Sequence, residues 1–174
     1  MRLNENIKSL ANWTQLGFVA PDAKDMMDHL AAVGFGPFKV YTVHSRNWEG
    51  VNYRGAPAPE YSLEVCMADF GAWDVEVIVP LPGSGMNIYS EYLDKQPAGG
   101  LHHLGTYMTS SEYDAAYTHL ESLGYPQIQG GPILGGDRDG RFDYFETDPQ
   151  YGILLELLDM PEVYGNPDYE YPGP

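Results

Sequence analysis

"WTQLGFVAPDAKDMMDHLAAVGFG" (residues 13–36) and "LHHLGTYMTSSEYDAAYTHLESLGYP" (residues 101–126) are two copies of one pattern. Each copy opens with a short apolar run that ends at a residue suited to capping a helix, Asp22 in the first and Ser110 or Ser111 in the second. Apolar residues then recur at helical spacing until a glycine, where helices commonly end. Each copy therefore predicts a strand followed by a helix.

Both copies continue into a β-hairpin of strongly apolar strands. The strand pairs are "YSLEVCMA" (61–68) with "DVEVIVPL" (74–81), and "RFDYFET" (141–147) with "ILLELLD" (153–159). A β-α-β-β-β order that occurs twice predicts an α+β fold. We expect two tandem βαβββ modules that form a curved mixed sheet around a cavity, with the helices outside.

The organisation along the chain follows from this repeat. The 174 residues are expected to form a single domain. Module one covers residues 13–80, a linker covers 81–100, module two covers 101–160, and an extended tail covers 161–174. The tail is rich in proline, tyrosine and acidic residues, so no independent fold is predicted for it.

Composition excludes several classes of partner. The formal net charge is −16, and the few basic residues form no stripe, so nucleic-acid binding is not expected. No segment has the apolar length of a membrane span, and the N-terminus lacks the apolar stretch of a secretion signal. Cys66 is the single cysteine, which fits a reducing compartment. These features predict a cytoplasmic protein without a membrane partner.

Two glutamates interrupt apolar strands. Period-2 alternation places Glu76 on the face opposite Val75 and Val77, and Glu156 between Leu154 and Leu158. An ionised carboxylate in the middle of an apolar strand is costly unless it has a partner or a metal. Glu76 and Glu156 occupy equivalent places in the two repeats, which indicates that they have the same role.

The opening strands add two more polar residues. Gln15 and His103 occupy equivalent positions in the repeat, whereas the adjacent His102 points to the other face of its strand, where a structural hydrogen bond is expected. Three oxygen donors and one imidazole suit a divalent ion of intermediate softness: Zn, Ni, Co, Mn or Fe. The predicted metal ligands are Gln15, Glu76, His103 and Glu156.

Glu64 is a further candidate. If the hairpin is centred near Phe70, Glu64 falls opposite Glu76 on the cavity side, where it would act as an acid or base beside a metal ligand. A one-residue shift of register would instead turn it outward.

A loop of mixed character precedes the first hairpin. In "HSRNWEGVNY" (44–53), His44, Arg46, Trp48 and Tyr53 are candidates to line a substrate. An exposed loop explains the same residues equally well.

These residues resemble the vicinal oxygen chelate superfamily. The most specific segment is "AGGLHHLG" (98–105), which is similar to the start of the second module in methylmalonyl-CoA epimerases. The other similar segments are "TQLGFVAPD" (14–22), "VEVIVPL" (75–81) and "GILLELL" (152–158). The resemblance implies metal ligands at Gln15, Glu76, His103 and Glu156, with Glu156 also able to act as a base.

The chain departs from the epimerase pattern at one ligand. Epimerases of this type usually carry histidine where this chain has Gln15, and a Gln/Glu/His/Glu set looks more like glyoxalase I. The few lysines and arginines form no evident clamp for glutathione or coenzyme A. The resemblance therefore implies the metal site and leaves the substrate open.

The predicted function is a metal-dependent isomerase, epimerase or lyase that acts through a metal-stabilised enolate. The catalytic base would be Glu156 or Glu76, with Glu64 as a third candidate. The substrate is expected to be a small oxygenated molecule, and the 14 tyrosines favour an aromatic one. A ring-cleaving dioxygenase and a metal-free binding protein of the same fold are the alternatives, and a homodimer is the expected assembly.

Overall fold

A computed structural model describes residue 8 and residues 10–134, 139–147, 152–161 and 165–172. The strands within these residues are β1 (Gln15–Val19), β2 (Phe38–His44), β3 (Asn52–Tyr53), β4 (Ala56–Pro57), β5 (Ser62–Phe70), β6 (Trp73–Pro80), β7 (Gly100–Tyr107), β8 (Gln127–Ile133), β9 (Gly140–Glu146), β10 (Leu154–Asp159) and β11 (Tyr169–Tyr171). The helices are α1 (Ala23–Ala32), α2 (Ile88–Lys95) and α3 (Ser110–Ser122). None of the helices in the described residues is long and apolar enough to cross a bilayer.

The described residues divide into two compact units. The first unit contains residues 15–47, 58–102 and 166–172. The second unit contains residues 8, 10–14, 48–57, 103–134, 139–147, 152–161 and 165. The division falls inside β7, between His102 and His103.

The first unit holds the helix and strands of module one. Its strands run in the order β11-β2-β5-β6-β1, with β1 parallel to β6 and the other neighbours antiparallel. Helix α1 begins after Asp22, whose side chain accepts a hydrogen bond from the Asp25 N–H at 2.8 Å. The helix buries Met27 in a core that includes Val75 and Val77 of β6. Apolar burial on one helix stripe and one strand face therefore holds this unit together.

The second unit repeats this arrangement with module two. Its strands run in the order β7-β10-β9-β8-β3-β4, with β7 parallel to β10. Helix α3 packs Tyr113 and Leu120 against Leu157. Its N-cap is Thr109, one residue before the earlier of the two predicted caps, and the Thr109 N–H donates to Glu112 Oε2 at 3.4 Å. The predicted α+β class and the repeated β-α-β-β-β order are confirmed.

Two short segments pair away from their neighbours in sequence. The β3–β4 hairpin lies between β2 and β5 in the chain, yet β3 pairs with β8 of the second unit. Strand β11, from the predicted tail, pairs with β2 of the first unit, and the Asp168 carboxylate accepts from the Thr42 N–H at 2.7 Å. Residues 162–164 and 173–174 of the tail lie outside the described residues.

A hydrogen-bonded polar cluster lies in the second unit. The Tyr113 hydroxyl donates to Asp143 Oδ2 at 2.7 Å, and Gln127 Nε2 donates to Asp143 Oδ1 at 2.9 Å. The same Gln127 nitrogen lies 2.9 Å from Asn52 Oδ1, which joins the β3–β4 hairpin to the cluster. Burial raises the pKa of the Asp143 carboxyl group, although these donors and Arg141 lower it in part.

Asp143→Asn is expected to change the pH dependence of stability. Because the pKa of Asp143 is higher in the folded than in the unfolded chain, its favourable contribution is present at low pH and disappears as the pH rises through the folded value. Asparagine does not titrate, so the stability of Asp143→Asn relative to the parent protein should increase between pH 4 and pH 7. Urea unfolding at several pH values measures this difference.

The matched control is Asp69→Asn, at an exposed position of β5. Its effect should stay within about 0.5 kcal/mol at every pH. If the stability of Asp143→Asn relative to the parent protein is constant with pH, or falls as the pH rises, the pKa of Asp143 is not raised in the folded protein.

Candidate functional site

Gln15 and Glu76 lie on neighbouring strands of the first unit. Strands β1 and β6 are parallel, with Gln15 beside Asp74 and Gly17 beside Glu76. Residues paired in this way share a face, so both side chains point away from the face that α1 covers. Gln15 is buried and Glu76 half-buried. The predicted placement of both residues on one face agrees with this register.

His103 and Glu156 form the corresponding pair of the second unit. Here Gly105 lies beside Glu156 in the parallel pair of β7 and β10. His103 Nε2 lies 3.2 Å from Glu156 Oε2, and both side chains are almost wholly buried. In each unit the glutamate is therefore beside a glycine, and the amide or imidazole comes two residues before that glycine. The register reproduces the internal repeat of the sequence.

The donor atoms of the second pair fit two adjacent ligands of one ion. Ligands about 2.1 Å from a zinc ion lie about 3.0–3.4 Å apart when they are neighbours in its coordination shell. The observed separation of 3.2 Å lies in this range. An imidazole nitrogen with carboxylate and amide oxygens is a set that zinc and similar transition ions accept.

The predicted position of Glu64 is wrong. In the β5–β6 hairpin Glu64 pairs with Val79, and it is Met67 that pairs with Glu76. Phe70 stays in the strand, and the chain turns at Gly71, whose φ of 67° a tight turn requires. The resulting offset of three residues puts Glu64 on the face opposite Glu76.

Glu64 instead takes part in holding the tail. It accepts a hydrogen bond of 2.5 Å from the Tyr169 hydroxyl of β11. It shares its strand face with Cys66, which is part of the core under α1. Glu64 therefore has no place among the candidate catalytic groups.

Cys66 and His102 lie on strand faces opposite the predicted metal ligands. Burial, helped by the charges of Glu64 and Glu76, raises the pKa of the Cys66 thiol to about 12, so this thiol stays protonated at neutral pH. His102 packs against the rings of Tyr89 and Tyr92 of α2, with ring centroids 5.6 and 5.0 Å away. The side of the strand predicted for His102 agrees with this packing.

Sequence reasoning missed two residues on the face that carries Glu156. Tyr144 pairs with Glu156, and Gln129 pairs with Tyr144, so all three point to the same side. The Tyr144 ring meets the His103 ring edge-on at 5.1 Å. Alternation in "RFDYFE" assigns Tyr144 to one face, but only the register shows that this face is the one with Glu156.

Comparison with known families gives one match. The sequence model of the family described as "Glyoxalase/Bleomycin resistance protein/Dioxygenase superfamily" matches residues 14–145. This range includes Gln15, Glu76 and His103 and ends before Glu156. No curated protein matches the chain by sequence.

Solved structures with the same fold include enzymes. A hypothetical protein from Bacillus halodurans C-125 matches with a TM-score of 0.60 and 15% identity, over 89% of this chain and 98% of that one. Methylmalonyl-CoA epimerase from Mycobacterium tuberculosis matches with a TM-score of 0.59 and 17% identity, over 94% of each chain. The Streptomyces coelicolor epimerase, in complex with 2-nitronate-propionyl-CoA, matches with a TM-score of 0.57 and 17% identity, over 87% of this chain and 97% of that one. At these identities the likeness is one of fold.

Proposed function

The chain belongs to the glyoxalase/bleomycin resistance protein/dioxygenase superfamily, and from this premise we propose that it is a metal-dependent isomerase or lyase. The predicted resemblance to this superfamily is confirmed. Because the superfamily covers several chemistries, the proposal rests on this chain's own side chains. The observation that carries it is the buried pair of His103 and Glu156, 3.2 Å apart, repeated in kind by Gln15 and Glu76.

The proposed metal ligands are Gln15, Glu76, His103 and Glu156. Glu76 would join His103 and Glu156 in a Glu–His–Glu set, whose donor types suit a divalent ion. Gln15 joins them as the repeat counterpart of His103. Zn, Ni, Co, Mn and Fe all suit such donors, and the identity of the ion is left open.

The chemistry proposed for this site is proton removal next to a carbonyl group. A divalent ion would supply Lewis-acid stabilisation to the negative charge that develops on the substrate oxygen. Glu156 or Glu76 receives the proton, since each offers a carboxylate oxygen, Glu156 from a buried position and Glu76 from a half-buried one. Return of a proton to the other side of the carbon gives an epimer, and loss of a neighbouring group gives a lyase product.

A metal-free binding protein is the second candidate function. The contact between His103 and Glu156 also suits an ion pair with a protonated imidazole, which would neutralise the buried carboxylate without an ion. A protein of this kind would bind a small molecule equally well before and after treatment with a chelator.

Hydrogen exchange with solvent tests the proposed reaction. Protein loaded in turn with each of the five metals is incubated in D₂O with small 2-oxo and 2-hydroxycarbonyl compounds, and NMR follows loss of the proton next to the carbonyl. We expect exchange in at least one compound, slowed more than about 100-fold in Glu156→Gln or Glu76→Gln at saturating metal.

Glu64→Gln is the matched control, because Glu64 lies on the opposite strand face. It should leave the exchange rate unchanged. If both Glu156→Gln and Glu76→Gln exchange as fast as the parent protein with metal bound, the proposed chemistry is wrong. Consumption of O₂ by the iron-loaded protein would favour a dioxygenase instead.

The remaining predictions concern assembly and location. We propose a small-molecule substrate, a homodimer and a cytoplasmic location, on the sequence arguments given above. Light scattering on the eluting peak of a size-exclusion column measures the assembly.

A further inference from the structure

The tail strand β11 covers an edge of the sheet in the first unit. Strand β2 pairs with β5 on one side and with β11 on the other. β11 has three residues, stands at the end of the strand order of this unit and comes from the tail, outside the β-α-β-β-β repeat. Without β11, the outer N–H and C=O groups of β2 would face no strand. Such an edge is a template for pairing with another chain.

The sequence of β2 makes this edge a strong template. β2 reads "FKVYTVH" over Phe38–His44, with five strand-favouring residues in seven, one charged residue and neither glycine nor proline. Exposed segments of this composition pair edge to edge with other chains. By contrast, β11 is a weak template, because it is short, carries the charged Glu170 and is followed by Pro172. The tail therefore replaces a strong edge by a weak one.

Asp168 joins the tail to this edge through both its backbone and its side chain. Its N–H donates to the Val40 carbonyl at 2.8 Å, and its carboxylate oxygen Oδ2 accepts from the Thr42 N–H at 2.7 Å. The carboxylate has the role that the next strand carbonyl would have, so the outer donor of Thr42 is satisfied where the strand pairing ends. Asp168 therefore closes the outer edge beyond the three residues of β11.

Two tyrosines of β11 hold the strand against the body of the unit. The Tyr169 hydroxyl donates to Glu64 of β5 at 2.5 Å, and the Tyr171 hydroxyl donates to Asp28 of α1. The Tyr171 ring packs at the border of the core, with Lys24 Nζ 5.5 Å from its centroid. A terminal strand that is held by exposed contacts opens at a lower free energy than the core does. β11 can therefore detach while the unit stays folded.

The second unit shows the same kind of cover over a weaker edge. Strand β8, the repeat counterpart of β2, pairs with β3 along its outer side. β3 also comes from outside the β-α-β-β-β repeat, since it lies between β2 and β5 in the chain. β8 contains Gly130, Gly131 and Pro132, which disfavour strand pairing. Both edges are covered, and β2 is the one whose exposure would lead to pairing.

We propose that the outer edge of β2 is a self-association surface that the tail keeps closed. When β11 detaches, two copies of the chain pair through this edge, β2 against β2, in an antiparallel arrangement about a two-fold axis. A second copy is the partner that fits, because β2 is complementary to itself. Self-association needs none of the predicted metal ligands, so it should occur in metal-free protein as well.

The self-complementarity of β2 follows from which of its backbone groups point outward. The Val40 carbonyl and the Thr42 N–H both face the tail, so the even-numbered residues of β2 direct their backbone groups to the outer edge. When two copies pair about Tyr41, Val40 of one copy lies opposite Thr42 of the other, and the two residues exchange hydrogen bonds. Lys39 then lies opposite Val43, so no like charges are paired.

Sedimentation velocity of two variants with a released tail tests this surface. One variant ends at Gly165 and lacks β11, and the other is the full-length Asp168→Ala/Tyr169→Phe double variant, which loses two of the bonds that hold the tail. Both are measured without metal, beside the parent protein at the same concentrations. We expect the mass of the shortened chain to be about twice the parent value, and the double variant to reach the same mass at higher concentration.

Glu170→Ala is the matched control, because it removes one negative charge from the same strand, on the face opposite Tyr169 and Tyr171. This variant should keep the parent mass. In the shortened chain, Thr42→Pro should restore the parent mass, since proline removes the outer donor of β2.

Circular dichroism shows whether the shortened chain is folded. If it is folded and keeps the parent mass, the proposed surface is wrong. If it does not fold, the double variant decides by the same comparison of masses. Association that Thr42→Pro leaves unchanged, or that Glu170→Ala shows to the same extent, would also overturn the proposal.

Discussion

His103→Ala protein is expected to bind zinc more than about 100-fold more weakly than the parent protein. Loss of a residue that merely supports a ligand costs about 10–100-fold in metal affinity, so loss of a ligand itself costs more. His103 is wholly buried against Glu156, so alanine removes the imidazole donor without exposing a large surface. Competition with a chromophoric chelator measures the affinity.

The matched control is His102→Gln at the adjacent position. His102 packs against Tyr89 and Tyr92 of α2, on the other side of the strand from His103. Its replacement should leave zinc affinity within about threefold of the parent value, since it lacks any contact with the ion. Equal zinc affinities for His103→Ala and the parent protein would remove His103 from the ligand set. Weaker binding in His102→Gln alone would mean that the two roles are exchanged.

Leu157→Ala is expected to destabilise the protein by about 3 kcal/mol. Leu157 has no exposed surface and packs in the core between β10 and α3, with Tyr113 and Phe145 among its neighbours. Alanine removes buried apolar atoms and leaves a cavity that the strand cannot close. The free energy of unfolding in urea measures the loss.

Leu101→Ala provides the comparison for this experiment. Leu101 is 39% exposed on β7, so the same substitution there should cost less than about 1 kcal/mol. Similar losses for the two variants would show that the face assigned to Leu157 does not carry the core. Leu157→Ala should also keep metal binding, because Leu157 lies on the opposite strand face from Glu156.

Alternation of polar and apolar residues was sufficient to assign strand faces. It placed Glu76 on the face opposite Val75 and Val77. It also placed His103 on the face opposite His102, because adjacent residues of a strand point to opposite sides. The internal repeat then matched Gln15 with His103. These assignments need only local sequence, and the registers of β1 with β6 and β7 with β10 agree with them.

Register between strands was the information that local sequence lacked. The position of Glu64 depended on where the β5–β6 turn lies, and a different turn centre moved it to the other face. Tyr144 was missed for the same reason, since its place beside Glu156 follows from the register of the β9–β10 hairpin. The pairing of the tail strand with β2 likewise depends on contacts across more than 120 residues, which alternation does not encode.

Titration of metal-stripped protein with Co²⁺ tests the proposed metal site most directly. We expect one Co²⁺ per chain and a visible spectrum that changes in alanine variants at each of four positions: Gln15, Glu76, His103 and Glu156. Glu64→Ala, with its carboxylate on the other strand face, should keep both the stoichiometry and the spectrum. If no Co²⁺ binds stoichiometrically, or if all four variants leave the spectrum unchanged, the proposed metal site is wrong.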